Sequence, residues 1–310
     1  MATILISHEA CLEHEPGPHH PERPDRLRAV IDALEAAEFA DLVRALAPEA
    51  TVEQIARVHP QQYVEAVLSI RPDIGEMVQL DGDTAMSAGS AEAAQRAAGG
   101  AVAGVDAVME GRALRAFVAV RPPGHHAEPQ RPMGFCLFNN AAVAALHARA
   151  QWGIQRVAVV DFDVHHGNGT QAMFQNDPDL FYASSHQSPC YPGTGDIWET
   201  GVAHNVVNAP LRPRDGSEAF RVAWEDRILP ALDRFAPGLL IISAGFDAHR
   251  DDPLAQLRLE TEDYTWITAQ LVALADRHCG GRVVSVLEGG YDLDALADSA
   301  AAHVRVLMAE

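Results

Sequence analysis

Acidic, imidazole and phenol side chains gather in short clusters, and each cluster directly follows a run of apolar residues. They are Arg121–His126 (Arg-Pro-Pro-Gly-His-His), Asp161–Gly167 (Asp-Phe-Asp-Val-His-His-Gly), Ala244–Asp247 and Glu288–Tyr291. Asp161, Asp163 and His165 alternate along a segment read as extended, so the period of two points all three side chains to one side. A carboxylate and an imidazole two residues apart can share a metal. Asp247, from another cluster, then completes two oxygen ligands and one nitrogen with a fourth position open, as catalytic zinc requires. A lone Asp-x-His is more often a buried hydrogen-bonded pair, but the recurrence of such clusters weighs toward a metal. His125 and His126 follow a Pro-Pro-Gly turn and titrate near neutral pH, which suits a general base and an electrostatic helper. Tyr291, after two glycines, is either a donor to a developing oxyanion or a core tyrosine bonded to a carbonyl.

The elements that must position these clusters are apolar, β-rich runs at Thr3–Ser7, Phe117–Val120, Val157–Val160, Leu180–Ala183, Leu239–Ser243 and Val283–Leu287. Helical segments lie between them at Pro24–Glu38, Ala88–Glu110, Asn139–Ala150, Ser217–Phe235 and Thr261–His278. Continuous apolar strands alternating with helices predict an α/β fold with a mostly parallel central sheet and helices on both faces. In such sheets ligands bind beyond the carboxyl ends of the strands, which is where every cluster falls. No linker, repeat or low-complexity block divides the 310 residues, so a single domain over 1–310 is expected.

Composition excludes several chemistries. The net charge is −20 and there is no lysine, which removes Schiff bases, a P-loop lysine and nucleic-acid or anionic-membrane partners. No Gly-x-Ser-x-Gly elbow is present, and Gly167-Asn168-Gly169 lacks the dinucleotide spacing. Cys11, Cys136, Cys190 and Cys279 are scattered, the N-terminus has no basic leader, and no apolar stretch is long enough to span a membrane. A cytoplasmic location is expected, and no oligomeric state is selected.

Taken together these residues resemble the zinc-dependent histone deacetylase and acetylpolyamine amidohydrolase family of the arginase–deacetylase superfamily, closest in pattern to its class II and bacterial members. The resemblance runs in family order from His20-Pro21-Glu22-Arg23-Pro24 through Arg121–His126, Gly134–Asn140, Asp161–Gln171, Pro192–Asp196 and Ala244–Leu254 to Glu288–Tyr291. It implies the arginase/deacetylase fold and hydrolysis of N-acetyl amides of aliphatic amines, of the acetyl-lysine or acetylpolyamine type, with release of acetate. It further implies Zn²⁺ on Asp163, His165 and Asp247, donors that also suit Fe²⁺ or Co²⁺. By the same resemblance His126 is general base and then acid, His125 is oriented by Asp161 and acts electrostatically, and Tyr291 bonds the carbonyl oxygen. Phe135 and Tyr191 would wall an acyl-amine tunnel with Leu254 at its rim, Gly134 would meet the substrate amide, and Arg26 would lie near an acetate-release cavity. A structural K⁺ would use Asp161, Ser184 and the carbonyls of Asp163 and His165.

Departures from the family pattern are informative. Asn168 stands where class I members carry an Asp partner for the second histidine, and Tyr191 replaces a usual phenylalanine. Asp247-Ala248-His249-Arg250-Asp251 echoes a binuclear Mn²⁺ ureohydrolase, which ranks far below a deacetylase because His stands where further Asp ligands belong. A catalytically weak acyl-lysine binding module is the other alternative. Asp81 and Asp83, with Glu13 and Glu15, are candidate rim acids for a cationic small-molecule or peptide acyl-amine substrate.

Overall fold

The computed structural model describes residues 2–309, so the end residues of the single-domain reading, Met1 and Glu310, lie outside the described residues. The strands are β1 (Thr3–Ser7), β2 (Val43–Leu46), β3 (Val78–Gln79), β4 (Ala85–Met86), β5 (Arg115–Val118), β6 (Val157–Asp161), β7 (Leu180–Gln187), β8 (Val206–Leu211), β9 (Leu239–Ala244) and β10 (Val283–Leu287). Eight of them form one sheet in the order β2-β1-β5-β10-β9-β6-β7-β8. Every neighbouring pair in it is parallel, as the unbroken apolar runs predict for strands buried on both faces. Strands β3 and β4 form a separate antiparallel pair around Asp81-Gly82-Asp83-Thr84.

The helices are α1 (Pro24–Ala33), α2 (Val52–Ile55), α3 (Gln61–Ser69), α4 (Ser90–Met109), α5 (Asn140–Trp152), α6 (Asn168–Phe174), α7 (Ser217–Ala223), α8 (Leu229–Phe235), α9 (Thr261–His278) and α10 (Leu293–Met308). Side-chain alternation assigns them to two layers. Ala116, Val118 and Val284 point to α4, where Gly100 and Gly104 leave room for the helix to approach the sheet. Phe117 and Ser285, of opposite parity, meet His303 of α10 on the other face. Helix α5 packs beside α4, whereas α1 and α9 flank α10.

The expected elements are present, with instructive differences. Ser217–Phe235 is helical throughout but passes through a π-helical turn at Trp224–Ile228. The sheet is wider than the six apolar runs indicate, because neither outermost strand is an unbroken apolar run. Strand β2 is largely exposed, and β8 carries Asn208 and Pro210, residues tolerated at a sheet edge.

Candidate active site

All four polar clusters emerge from the carboxyl ends of adjacent central strands, β5, β10, β9 and β6. The extended alternation expected for 161–165 is corrected, because β6 stops at Asp161. Asp161 Oδ1 accepts from Asp163 N at 3.1 Å, and Asp163 Oδ1 accepts from His165 N at 2.9 Å, so two Asp-bonded turns replace the strand. These turns separate the roles. Asp161 Oδ2 accepts from His125 Nδ1 at 2.9 Å and from the Tyr182 hydroxyl at 3.1 Å. Asp163, His165 and Asp247 instead bring one donor atom each to within 4.8 Å of one another, all buried.

The carboxylates are held from behind by main chain. Val164 N donates to Asp247 Oδ1 and Gly289 N to Asp163 Oδ2, both at 2.8 Å. A Cβ on Gly245 or Gly289 would fall on the Asp163 or Asp247 carboxylate, so these close approaches require glycine. His165 Nδ1 lies 3.2 Å from Asp163 Oδ1 and 3.0 Å from Asp247 Oδ2. Burial opposes charge on His165, but its bonds to Asp163 and Asp247 raise its pKa well above the usual histidine value. Burial, then the neighbouring Asp163, pushes Asp247 up to about 7. The two buried carboxylates disfavour each other's charge, and a divalent cation at the common focus of both with the imidazole relieves that. The donor set therefore fits the metal implied by the sequence.

Consecutive histidines face this focus with ring centroids 4.0 Å apart, yet their environments shift them in opposite directions, one to the cation and one to the neutral ring. Burial disfavours the cation of His125, but Asp163 and Asp161 outweigh it and raise its pKa to about 10. Burial, then the positive His125 and His165, drives His126 well below its ordinary value. His126 Nδ1 lies 2.8 Å from Asn168 Oδ1, whose amide orientation follows from its Nδ2 donating to Glu128 at 3.0 Å. The carbonyl oxygen can only accept, so Nδ1 carries the proton and Nε2 keeps a lone pair.

Asp83, His126, Gly134, Phe135, His165, Tyr191, Leu254 and Tyr291 line a cavity of about 220 Å³ over these groups. Asp83 Oδ1 accepts from Gly134 N at 3.0 Å, and Thr84 Oγ1 accepts from Phe135 N at 3.0 Å, so the β3–β4 turn fixes one wall. Gly134, at φ +57°, lies against the His126 ring where a Cβ would collide. Tyr291 meets Phe135 edge to face at 5.9 Å, and Arg26 covers its ring at 4.7 Å. Arg26 is buried and spends its donors on Glu22 and on the carbonyls of Glu288 and Gly290. Asp81 does not line the cavity and pairs with Arg131 at 3.0 Å, while Glu13 and Glu15 line a different groove. The β6–β7 register sets Asp161 beside Ser184, whose Oγ lies 2.9 Å from His186 Nδ1.

Three buried acids that support the site were given no role by the sequence reading. Asp252 accepts from Tyr291 N at 2.7 Å and from Leu254 N at 3.0 Å, tying the rim to the phenol's main chain. Glu22 binds Arg26 and Arg121, and Glu288 binds the histidine turn. Only Glu288 had a usable signal, its position directly after an apolar strand.

The family described as "Histone deacetylase domain" matches residues 20–307. Histone deacetylase 14, chloroplastic, of Arabidopsis thaliana is 40% identical over 328 residues, spanning 100% of this chain and 77% of that protein. The histone deacetylase-like amidohydrolase of Pseudomonas aeruginosa is 40% identical over 311 residues, spanning 93% of this chain and 81% of that protein. The crystal structure of an HDA15 HD domain superposes with a TM-score of 0.92 at 38% identity, covering 99% of this chain and 88% of the other.

Proposed function

The chain belongs to the histone deacetylase domain family, and on that premise we propose that it is a zinc-dependent amidohydrolase removing acetyl groups from aliphatic amines, of the acetyl-lysine or acetylpolyamine type. One observation carries the reading. A cavity lined by Phe135 and Tyr191 also holds the neutral His126, Tyr291 and His165, the member of the ligand trio with Asp163 and Asp247 that reaches it. Bound there, a divalent metal supplies Lewis acidity toward the amide carbonyl and the attacking water. His126 Nε2 takes a proton from that water, since Nδ1 is committed to Asn168. Charged His125, locked on Asp161, favours the negative charge that develops as the amide becomes tetrahedral. Burial keeps the Tyr291 phenol protonated, so it donates to the same oxyanion. His126 then returns the proton to the leaving nitrogen, and acetate and free amine result.

The ring faces of Phe135 and Tyr191 suit an unbranched methylene chain, and Asp83 beside them suits a cation further along the substrate. We place a structural K⁺ beside Asp161 and Ser184, a reading supported by their pairing in adjacent strands. A cytoplasmic location is supported by four free cysteines, and no helix among the described residues is long and apolar enough to cross a membrane. The binuclear alternative finds one ligand cluster among the described residues, where it needs more. The experiment compares kcat/KM of zinc-loaded protein for an acetyl-lysine peptide, N-acetylputrescine and N8-acetylspermidine, with Asp247→Ala as blank. Acetate release above the blank is expected. Its absence with all three would return the chain to the acyl-lysine binding module.

A further inference from the structure

Directly beneath the histidine turn lies a carboxylate that the reaction above does not use. Glu288 is the first residue past β10 and is 0% exposed. Its Oε2 accepts from Gly124 N at 2.7 Å and from His125 N at 3.1 Å, and its Oε1 accepts from Ser243 Oγ at 3.1 Å. The following peptide, between His125 and His126, is fixed as well, for the His125 carbonyl accepts from Gly169 N at 3.1 Å and Thr170 N at 3.2 Å. In its main chain Glu288 accepts from Arg26, whose guanidinium covers the Tyr291 ring. A strand end in a packed core is filled at lower cost by an apolar residue than by a carboxylate. Here an apolar residue would leave two consecutive N–H groups of a tight turn unpaired.

We propose that Glu288 is a positioning residue for the deacetylation: its Oε2 fixes the Gly124-His125 main chain, and with it the aim of the His125 and His126 rings, while its carbonyl links that point through Arg26 to the Tyr291 loop. The inference rests on the deacetylase reading of the site. It predicts that reach, not charge, is what position 288 supplies. Glu288→Gln keeps an oxygen at the same distance for both N–H groups, and its amide can donate to Ser243 Oγ. Glu288→Asp keeps the charge but is one methylene short.

The experiment measures kcat, KM, bound metal and the downfield imidazole N–H resonance of His125 in wild type and both variants. The Asp variant is expected to lose about a hundredfold in kcat, the scale of a 1 Å misplacement, with KM and metal content retained and the resonance shifted or broadened. The Gln variant is expected to recover most of the lost turnover and the wild-type resonance. Wild-type kcat and resonance in the Asp variant would overturn the proposal. So would a Gln variant as impaired as the Asp variant, or a loss of kcat accompanied by loss of metal or of cooperative unfolding. If the wild type itself turned nothing over, the deacetylase reading would fail, while the resonance would still decide what Glu288 positions.

Discussion

Two buried charge clusters flank Tyr291, and they solve the cost of burial in opposite ways. On one side Glu22 accepts from both Arg26 and Arg121, Arg121 also donates to the Cys11 carbonyl at 2.8 Å and the His14 carbonyl at 3.0 Å, and Arg26 closes on Glu288 and Gly290. That knot is satisfied by its own members. On the other side Asp163 and Asp247 converge on one imidazole, and burial, then the neighbouring Asp163, pushes Asp247 toward its neutral form. A cluster whose donors all end on protein oxygens holds loops in place, whereas one whose ligand atoms converge within 4.8 Å of one another is built for something that arrives from outside.

The comparison breaks most sharply at the two acids themselves. Asp247→Asn is expected to abolish both metal binding and turnover, while the metal-free variant is at least as stable as the metal-free wild type, because a surplus charge has gone. Metal analysis, acetate release and urea unfolding check this together. Glu22→Ala is expected to do the reverse, costing about 3–5 kcal/mol by leaving buried arginines unpaired. Its urea midpoint and slope against wild type give that figure. Between the clusters, Tyr291→Phe should lower kcat by about 10²–10³ with metal content unchanged, and turnover at the wild-type rate would remove the phenol from the mechanism.

The two clusters should also answer pH with opposite signs. Asp247 is raised from 3.8 to about 7, so in the metal-free chain its contribution to stability is full below the lower value and lost as pH rises through the upper one. Burial opposes charge on Glu22, but Arg121 and then His14 lower it well below 4.5, so its contribution is present above that value and lost as pH falls. On the Asp247 side, metal-free protein should therefore unfold at lower and lower urea as pH rises from 3.8 to about 7 and level off above it, and saturating Zn²⁺ should cancel that trend. The smallest effect is expected outside both clusters. Arg131→Ala breaks the exposed pair with Asp81 and should cost under about 1 kcal/mol without changing kcat; a large fall in kcat would restore Asp81 to the rim.

The catalytic side of this comparison was largely legible in the sequence, and the structural side was not. Asp163, His165, Asp247 and the histidine pair announce themselves because each follows an apolar strand, and parallel strands deliver their carboxyl ends to one place. The turn geometry at Asp161 escaped the alternation argument because side chain to main chain bonds end the strand there. Glu22 and Arg121 each sit in a recognisable motif, but they stand far apart in the chain and meet only through packing, so no local pattern marks their pairing. Asp252 and Glu288 bind backbone N–H groups, which any residue supplies, and so leave no pairing signature. The edge strands β2 and β8 were hidden because neither is an unbroken apolar run: Arg44 interrupts the largely exposed β2, and Asn208 and Pro210 interrupt β8 although it is buried.

The most direct test of the converging Asp163, His165 and Asp247 as a metal site is to titrate Zn²⁺ into metal-free protein while following both bound metal and acetate release from an acetylated amine. The account predicts that turnover rises with binding and reaches its plateau at one ion per chain, and that Asp247→Asn shows neither. Full turnover in metal-free protein, or a plateau reached only at two ions per chain, would contradict it.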